Sequence, residues 1–285
     1  MANIWVTGAS GQLGMALRQK GFSFWDEVFY TDKEELDITD RDAVRQFVVG
    51  HEIDTIINCA AYTAVDLAEE EPEKAEKINM LAVANLAEVA QKEDCLLIHI
   101  STDYVFDGHT NVPYTEKDTP APKNMYGKTK WAGEQAIIKS GCWHIIIRTS
   151  WLYSWEGNNF VKTILRLADE RSEINVVNDQ FGSPTYAKDL ADAIISIMAN
   201  EERIEHEGIY HFSSEGVCSW YDFALQIIKV AKKDCKVNPV TTAEYPVKAI
   251  RPAYSVLDKT KIRKIFGIRI PEWQESLGRM LQEGE

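Results

Sequence analysis

Tyr126 stands four residues before Lys130 in the stretch NMYGKTKWAGE, residues 124–134. On a helix the two side chains share a face, and such a pair could move a proton. An unperturbed tyrosine titrates near ~10. Acting as a general acid or base near neutrality requires that value to fall by roughly 3 units, about 4 kcal/mol. An ammonium one turn away would favour the phenolate and supply part of the shift. The same spacing also describes an ordinary surface pair on a helix, so the chemistry needs support from elsewhere in the chain.

Two other stretches offer it. HISTDYVFDG (99–108) sets Ser101, Thr102 and Asp103 at the end of a strand-like run, where a hydroxyl could hold a substrate oxygen. VTGASGQLG (6–14) spaces Gly8, Gly11 and Gly14 by three directly after the first such run. That pattern suits a tight turn, a close approach of backbone to a pyrophosphate, and close packing of helix on sheet. The helix that follows adds N–H groups and a positive dipole end. Asp32 closes the second strand-like run, where a carboxylate would bond the adenosine ribose hydroxyls; it also reads as a plain loop carboxylate. Lys33 beside it would tolerate a 2′-phosphate, so NADH and NADPH both stay open. A bound oxidised nicotinamide would add its positive ring to the forces favouring a Tyr126 phenolate.

These groups must be carried by a regular scaffold. Apolar runs rich in β-branched residues occur at 3–6, 27–31, 54–60, 95–101 and 144–150, with amphipathic segments between them. One helix follows Thr39 as N-cap, and another starts at Pro72. The acidic run EEEPEKAE (69–76) is a solvated helix start, and Met80, Leu81, Val83 and Leu86 are its core positions by spacing. The alternation predicts an α/β fold, a Rossmann-type doubly wound parallel sheet, with a smaller C-terminal α/β substrate-binding domain. The expected division gives residues 1–150 and a returning segment of about 184–205 to the NAD(P)-binding domain. Residues 151–183 and 206–285 form the substrate-binding domain. No Gly/Ser linker separates them, so they should pack together around a cleft.

Composition narrows the partners. The 285 residues carry a formal net charge of −13, a field that argues against nucleic acid and anionic membrane. The five cysteines are scattered without a Cys-x-x-Cys pair, which predicts reduced thiols and neither disulfide nor zinc framework. The start, MANIWVTGASGQLG, has no basic region before an apolar run, and no run is long enough to span a bilayer. A cytoplasmic protein is expected.

Taken together, Gly8-x-x-Gly11-x-x-Gly14, Thr102 and Tyr126-x-x-x-Lys130 resemble the extended short-chain dehydrogenase/reductase superfamily. NCAAYTAVDLAE (58–69), STDYVFDG (101–108), RTSWLY (148–153), GNNFVKTILRLA (157–168) and NDQFGSPT (178–185) narrow this. They resemble the dTDP-4-dehydrorhamnose reductase family over essentially the whole chain. The resemblance implies reduction of the 4-keto group of dTDP-4-dehydro-6-deoxy-L-mannose to dTDP-L-rhamnose with NADPH or NADH, by a monomer or homodimer.

It also implies roles. Tyr126 would protonate the nascent oxyanion, Lys130 would lower the tyrosine pKa and bond the nicotinamide ribose, and Thr102 would hold the sugar oxygen. Gly11, Gln12 and Leu13 would line the pyrophosphate, Asp37 and Ile38 the adenine, and Ala61, Tyr62 and Thr63 the cofactor beyond the third strand. Asp103 and Trp151 resemble substrate-contacting positions, although Trp151 also reads as core. Arg251 could grip the diphosphate bidentately or form a salt bridge. Asn79 is either a supporting hydrogen-bond donor or structural.

One departure concerns metal. Some relatives pair through magnesium held partly by a carboxylate of the first helix, and residues 15–25 here contain no Asp or Glu; no metal is expected. A nucleotide-sugar 4,6-dehydratase or epimerase is an alternative within the superfamily; its dehydratases follow Thr-Asp with Glu, whereas Tyr104 stands here, which disfavours elimination. A reductase of another 4-ketosugar nucleotide and a non-catalytic dinucleotide-binding regulatory subunit are the remaining alternatives.

Overall fold

The computed structural model describes residues 2–23, 26–245 and 247–283. Its main sheet has six strands: β1 (Asn3–Thr7), β2 (Glu27–Thr31), β3 (Thr55–Asn58), β4 (Leu96–Thr102), β5 (His144–Thr149) and β6 (Gly208–His211). They lie in the order β6-β5-β4-β3-β1-β2, and every pairing is parallel. The register lines up Val6, Ile57, Ile98 and Ile145 across four strands. Those side chains pack under the helices Gln12–Lys20 and Ala187–Ala199, against Leu13, Leu17, Leu190 and Ile194. Trp5, Ile56 and Leu97 cover the opposite face and meet Val44, Val83, Leu86 and Ile137 of three further helices. Both faces are therefore buried, which is why the strands read as continuous apolar runs. The chain winds one way from β1 to β2 and the other way from β1 to β3. A crevice opens at that reversal, outside the carboxyl ends of the strands.

The later part builds its own core. Ile164, Ile174, Val237, Phe223, Ile227 and Leu277 pack together, drawn from three helices and from the parallel pair Glu173–Val177 and Lys236–Val240. Among the described residues no helix is long and apolar enough to cross a membrane. All five cysteines are unpaired, and four of them are buried.

Three expectations need correction. β6 belongs to the main sheet, although the sequence pattern puts residues 206–285 in the later domain; Ile262, Ile268 and Ile270 also pack in the main core. The helix Ala187–Ala199 returns along the sheet, and a strand parallel to β5 completes that crossover. The cap of the helix Arg41–Gly50 is Asp40, which accepts from the N–H groups of Asp42 and Ala43 at 3.1 and 3.0 Å. Thr39, one residue earlier, instead turns its N–H to Asp37. Finally, Leu81 is 50 % exposed while Val83 and Leu86 are fully buried. The turn Lys77–Leu81 is a π-helix, and its extra residue rotates the preceding positions out of the helical phase.

Candidate active site

Thr102 ends β4 and starts the 3₁₀ turn Asp103–Val105, its Oγ1 accepting from the Tyr104 N–H at 3.1 Å. The neighbouring helix Met125–Ser140 begins at Asn124, whose side chain accepts from Gly127 N–H at 2.8 Å and donates to Ile250 O at 2.8 Å. That cap fixes the height of Tyr126 above the sheet. Glycine lets the helix come close: a Cβ at Gly127 would lie 2.2 Å from Tyr104 O, and one at Gly133 2.2 Å from Asn79 O.

Tyr126, Lys130 and Glu134 then form a polar stripe at i, i+4 and i+8 facing the sheet. Glu134 is fully buried and is gripped bidentately by Arg148 at 2.9 and 2.6 Å, with Ser101 Oγ donating to it at 2.5 Å. Lys130, 1 % exposed, donates to Ile100 O at 2.6 Å and meets His99 Nε2 at 3.3 Å. Burial draws its pKa down to about 8, against the attraction of Glu134. Tyr126 moves the other way from the expectation. Its phenol opens partly on the cavity, yet desolvation pushes it up to about 12, opposed by the Thr102 hydroxyl and reinforced by Asp103. Asp103 is itself lifted to about 7 by burial, against hydrogen bonds from Ser255 and Thr102. The lysine is tied to the strand floor through Ile100 O.

The glycine loop and the switch-point crevice form one wall of this site. Gly8 has φ +63°, and a Cβ there would lie 2.7 Å from Ala60 N; one at Gly14 would lie 2.5 Å from Gly8 O. The loop thus needs glycine both for its turn and for its contact with the helix. A cavity of about 550 Å³ runs from Gly8 and Gly11 past Asp32, Lys33, Asp37 and Ile38. Asp32 accepts from Ser10 N–H at 2.8 Å, which brings the carboxylate to the glycine loop. A second cavity of about 560 Å³ continues from Gly11, Gln12 and Leu13 to Thr102, Tyr126 and Lys130, with Ala61 and Thr63 on its wall. An elongated crevice with a glycine turn, a helix N-terminus and a carboxylate at its far end fits a nicotinamide dinucleotide. Tyr62 lines neither cavity: Asn79 holds its N–H and C=O at 2.8 and 3.0 Å, and its hydroxyl donates to Glu71. Asn79 also donates to Thr129, so it props the loop after β3 against the Tyr126 helix.

A third cavity of about 500 Å³ shares Tyr104 and Trp220 with the second. Trp151 lines the second cavity with φ +48°, a strained angle for a bulky residue. Its ring stacks on Trp220 at 3.5 Å, and a Cβ at Gly182 would meet it at 2.7 Å. It is thus both packed and on the cavity. Arg251 lines the third cavity while gripping Asp66 at 3.1 and 2.6 Å, which holds that carboxyl low. Sequence reasoning missed Trp220, Glu134 and Arg148. Glu134 alone left a signal, as the next position on the Tyr126–Lys130 face.

Residues 1–285 match the family described as the RmlD substrate binding domain. A curated dTDP-4-dehydrorhamnose reductase of Aggregatibacter actinomycetemcomitans is 44 % identical, covering 97 % of each chain. The chain belongs to the dTDP-4-dehydrorhamnose reductase family. The spore coat polysaccharide biosynthesis protein SpsK of Bacillus subtilis is 42 % identical over 99 % of this chain and 98 % of that one. Among solved structures, the family's Bacillus anthracis enzyme in complex with NADP is 42 % identical, with TM-score 0.95 and 99 % coverage of each chain. A UDP-glucose 4-epimerase of Thermus thermophilus, 19 % identical with TM-score 0.84 over 98 % of each chain, shares the fold. Among the described residues no group of three or more His, Cys, Asp or Glu could hold a metal ion.

Proposed function

We propose that this chain reduces the 4-keto group of dTDP-4-dehydro-6-deoxy-L-mannose to dTDP-L-rhamnose, using NADPH or NADH and no metal ion. One observation carries the reading: Thr102, Tyr126 and Lys130 meet in the cavity that joins the dinucleotide crevice to a second, aromatic cavity. A cofactor and a nucleotide sugar can thus approach one tyrosine from two sides. The family relationship supports this choice of sugar.

The reduced nicotinamide supplies the hydride that the keto carbon receives. Gly8, Gly11 and the helix N-terminus would hold its pyrophosphate, and Asp32 its adenosine ribose. Thr102 would position the carbonyl oxygen. Tyr126 protonates that oxygen as negative charge develops on it; burial pushes the phenol up to about 12, which keeps it protonated at neutral pH, and a positive nicotinamide ring beside it would offset the loss of acidity. Lys130 would face the nicotinamide ribose. Asp103 and Trp151 would bound the sugar, and Arg251 would exchange Asp66 for the diphosphate. The reading places the enzyme in the cytoplasm as a monomer or homodimer, and its net charge of −13 disfavours nucleic acid as a partner.

The test is nicotinamide absorbance loss against a panel of 4-ketosugar nucleotides, each with and without EDTA. Turnover of the named sugar, unchanged by EDTA, is expected. Turnover of a different sugar alone would overturn the substrate, and loss with EDTA would overturn the metal-free claim.

A further inference from the structure

Gln180, in the QFGSPT loop, lines the third cavity and is 4 % exposed. Its orientation is imposed from behind. Thr242 Oγ1 donates to Asp179 Oδ1 at 2.6 Å, and Thr242 N–H points at both Asp179 oxygens at 3.0 Å. With its one proton committed, the Thr242 hydroxyl can meet Gln180 only as an acceptor. Gln180 Nε2 accordingly donates to it at 3.0 Å, and turning the amide over would set oxygen against oxygen. The free end, Oε1, takes no partner among the described residues and is not one of the polar atoms sealed inside the protein. Asn175, on the same lining, has its Oδ1 engaged by Asn238 at 3.3 Å, which leaves its amide N–H groups as donors. The rest of the wall includes Phe160, Ile164, Trp220 and Tyr245. An aromatic slot with one fixed acceptor suits a flat ring that carries a hydrogen-bond donor on its edge.

We propose that Gln180 reads the base of the nucleotide sugar, its Oε1 accepting the N3–H of a keto-pyrimidine such as thymine. Asp179 and Thr242 are the positioning residues that keep the acceptor forward. A cytosine ring presents a lone pair at N3, so lone pair would face lone pair and the base would be rejected. This assignment rests on the nucleotide-sugar reading above.

The experiment compares dTDP with 5-methyl-dCDP, which differ only at N3 and C4 of the base, by calorimetric titration of the full chain. Wild type should bind dTDP about 10–100-fold tighter, the worth of one buried polar mismatch. Gln180→Leu should bring the two within about threefold, because neither edge is then read. Thr242→Val keeps the side-chain shape and frees the amide to turn, so it should cut the preference about tenfold even where Gln180→Leu folds poorly. A dTDP preference that survives both substitutions would overturn the assignment and leave the proposed reaction standing. Wild-type protein that binds neither nucleotide would overturn the assignment and the reaction together.

Discussion

Lys130 Nζ lies 2.6 Å from the carbonyl oxygen of Ile100, and that contact, not one with Tyr126, holds the buried ammonium in place. The consequence falls on the phenol. Without a dominant cationic neighbour it is pushed up by desolvation to about 12. The phenol is therefore protonated throughout the neutral range but a weaker acid than free tyrosine; it can still give its proton to a developing alkoxide, a stronger base, and a positive nicotinamide ring beside it would lower its pKa.

Tyr126→Phe keeps the ring and removes the donor. It should lower kcat by roughly 10²–10⁴-fold, the usual worth of a positioned acid, while NADPH affinity changes little. Steady-state kinetics with a separate cofactor titration checks this. Near-normal turnover would show that Tyr126 is not the proton donor and leave it a structural role only.

Asp103 gives a pH signature. Its folded pKa, about 7, lies above the usual carboxylate value of 3.8. The native state therefore holds the extra proton between roughly pH 4 and 7, and stability falls as pH rises through that window. Asp103→Asn should escape this loss and gain up to about 4 kcal/mol relative to wild type at pH 8, with little gain at pH 4. Thermal melts of both proteins at the two pH values decide it; a difference independent of pH would show that the carboxyl is not held neutral.

The Asp32 prediction concerns cofactor choice. Asp32 should favour an unphosphorylated ribose while Lys33 softens the discrimination, so both NADH and NADPH should support turnover. Asp32→Ala should raise kcat/KM for NADPH relative to NADH. The substitution also frees Ser10 N–H, so both cofactors should bind somewhat less well. An unchanged ratio would mean that the carboxylate does not face the ribose.

Glu134→Gln breaks a buried, bidentate ion pair with Arg148. Leaving the guanidinium uncompensated should cost about 3–5 kcal/mol, read as a lower denaturant midpoint at unchanged slope. A midpoint equal to that of wild type would contradict the packing of this stripe.

Much of this was legible in the sequence because it follows from local pattern. The β-branched runs marked five of the six main strands, and the glycine spacing located the turn after β1. Tyr126 and Lys130 fell on one helical face by spacing alone. What was not legible depends on contacts between distant segments. β6 is four residues long and acquires its place only from β5 beside it. The exposure of Leu81 follows from a π-turn that no residue type announces. Trp220 meets Trp151, and Arg148 on β5 meets Glu134 on its neighbouring helix, only once each part has packed in three dimensions. The i,i+4 spacing of Tyr126 and Lys130 does not say which way the lysine turns its ammonium, and here it points to Ile100 O.

The most direct test of the account is isotopic. The protein is incubated with dTDP-4-dehydro-6-deoxy-L-mannose and NADPH carrying deuterium at the transferable nicotinamide position, and the product is read by NMR. Deuterium at C4 of dTDP-L-rhamnose is the expected result. Label elsewhere in the sugar, or no cofactor oxidation with this substrate, would contradict the proposed reaction.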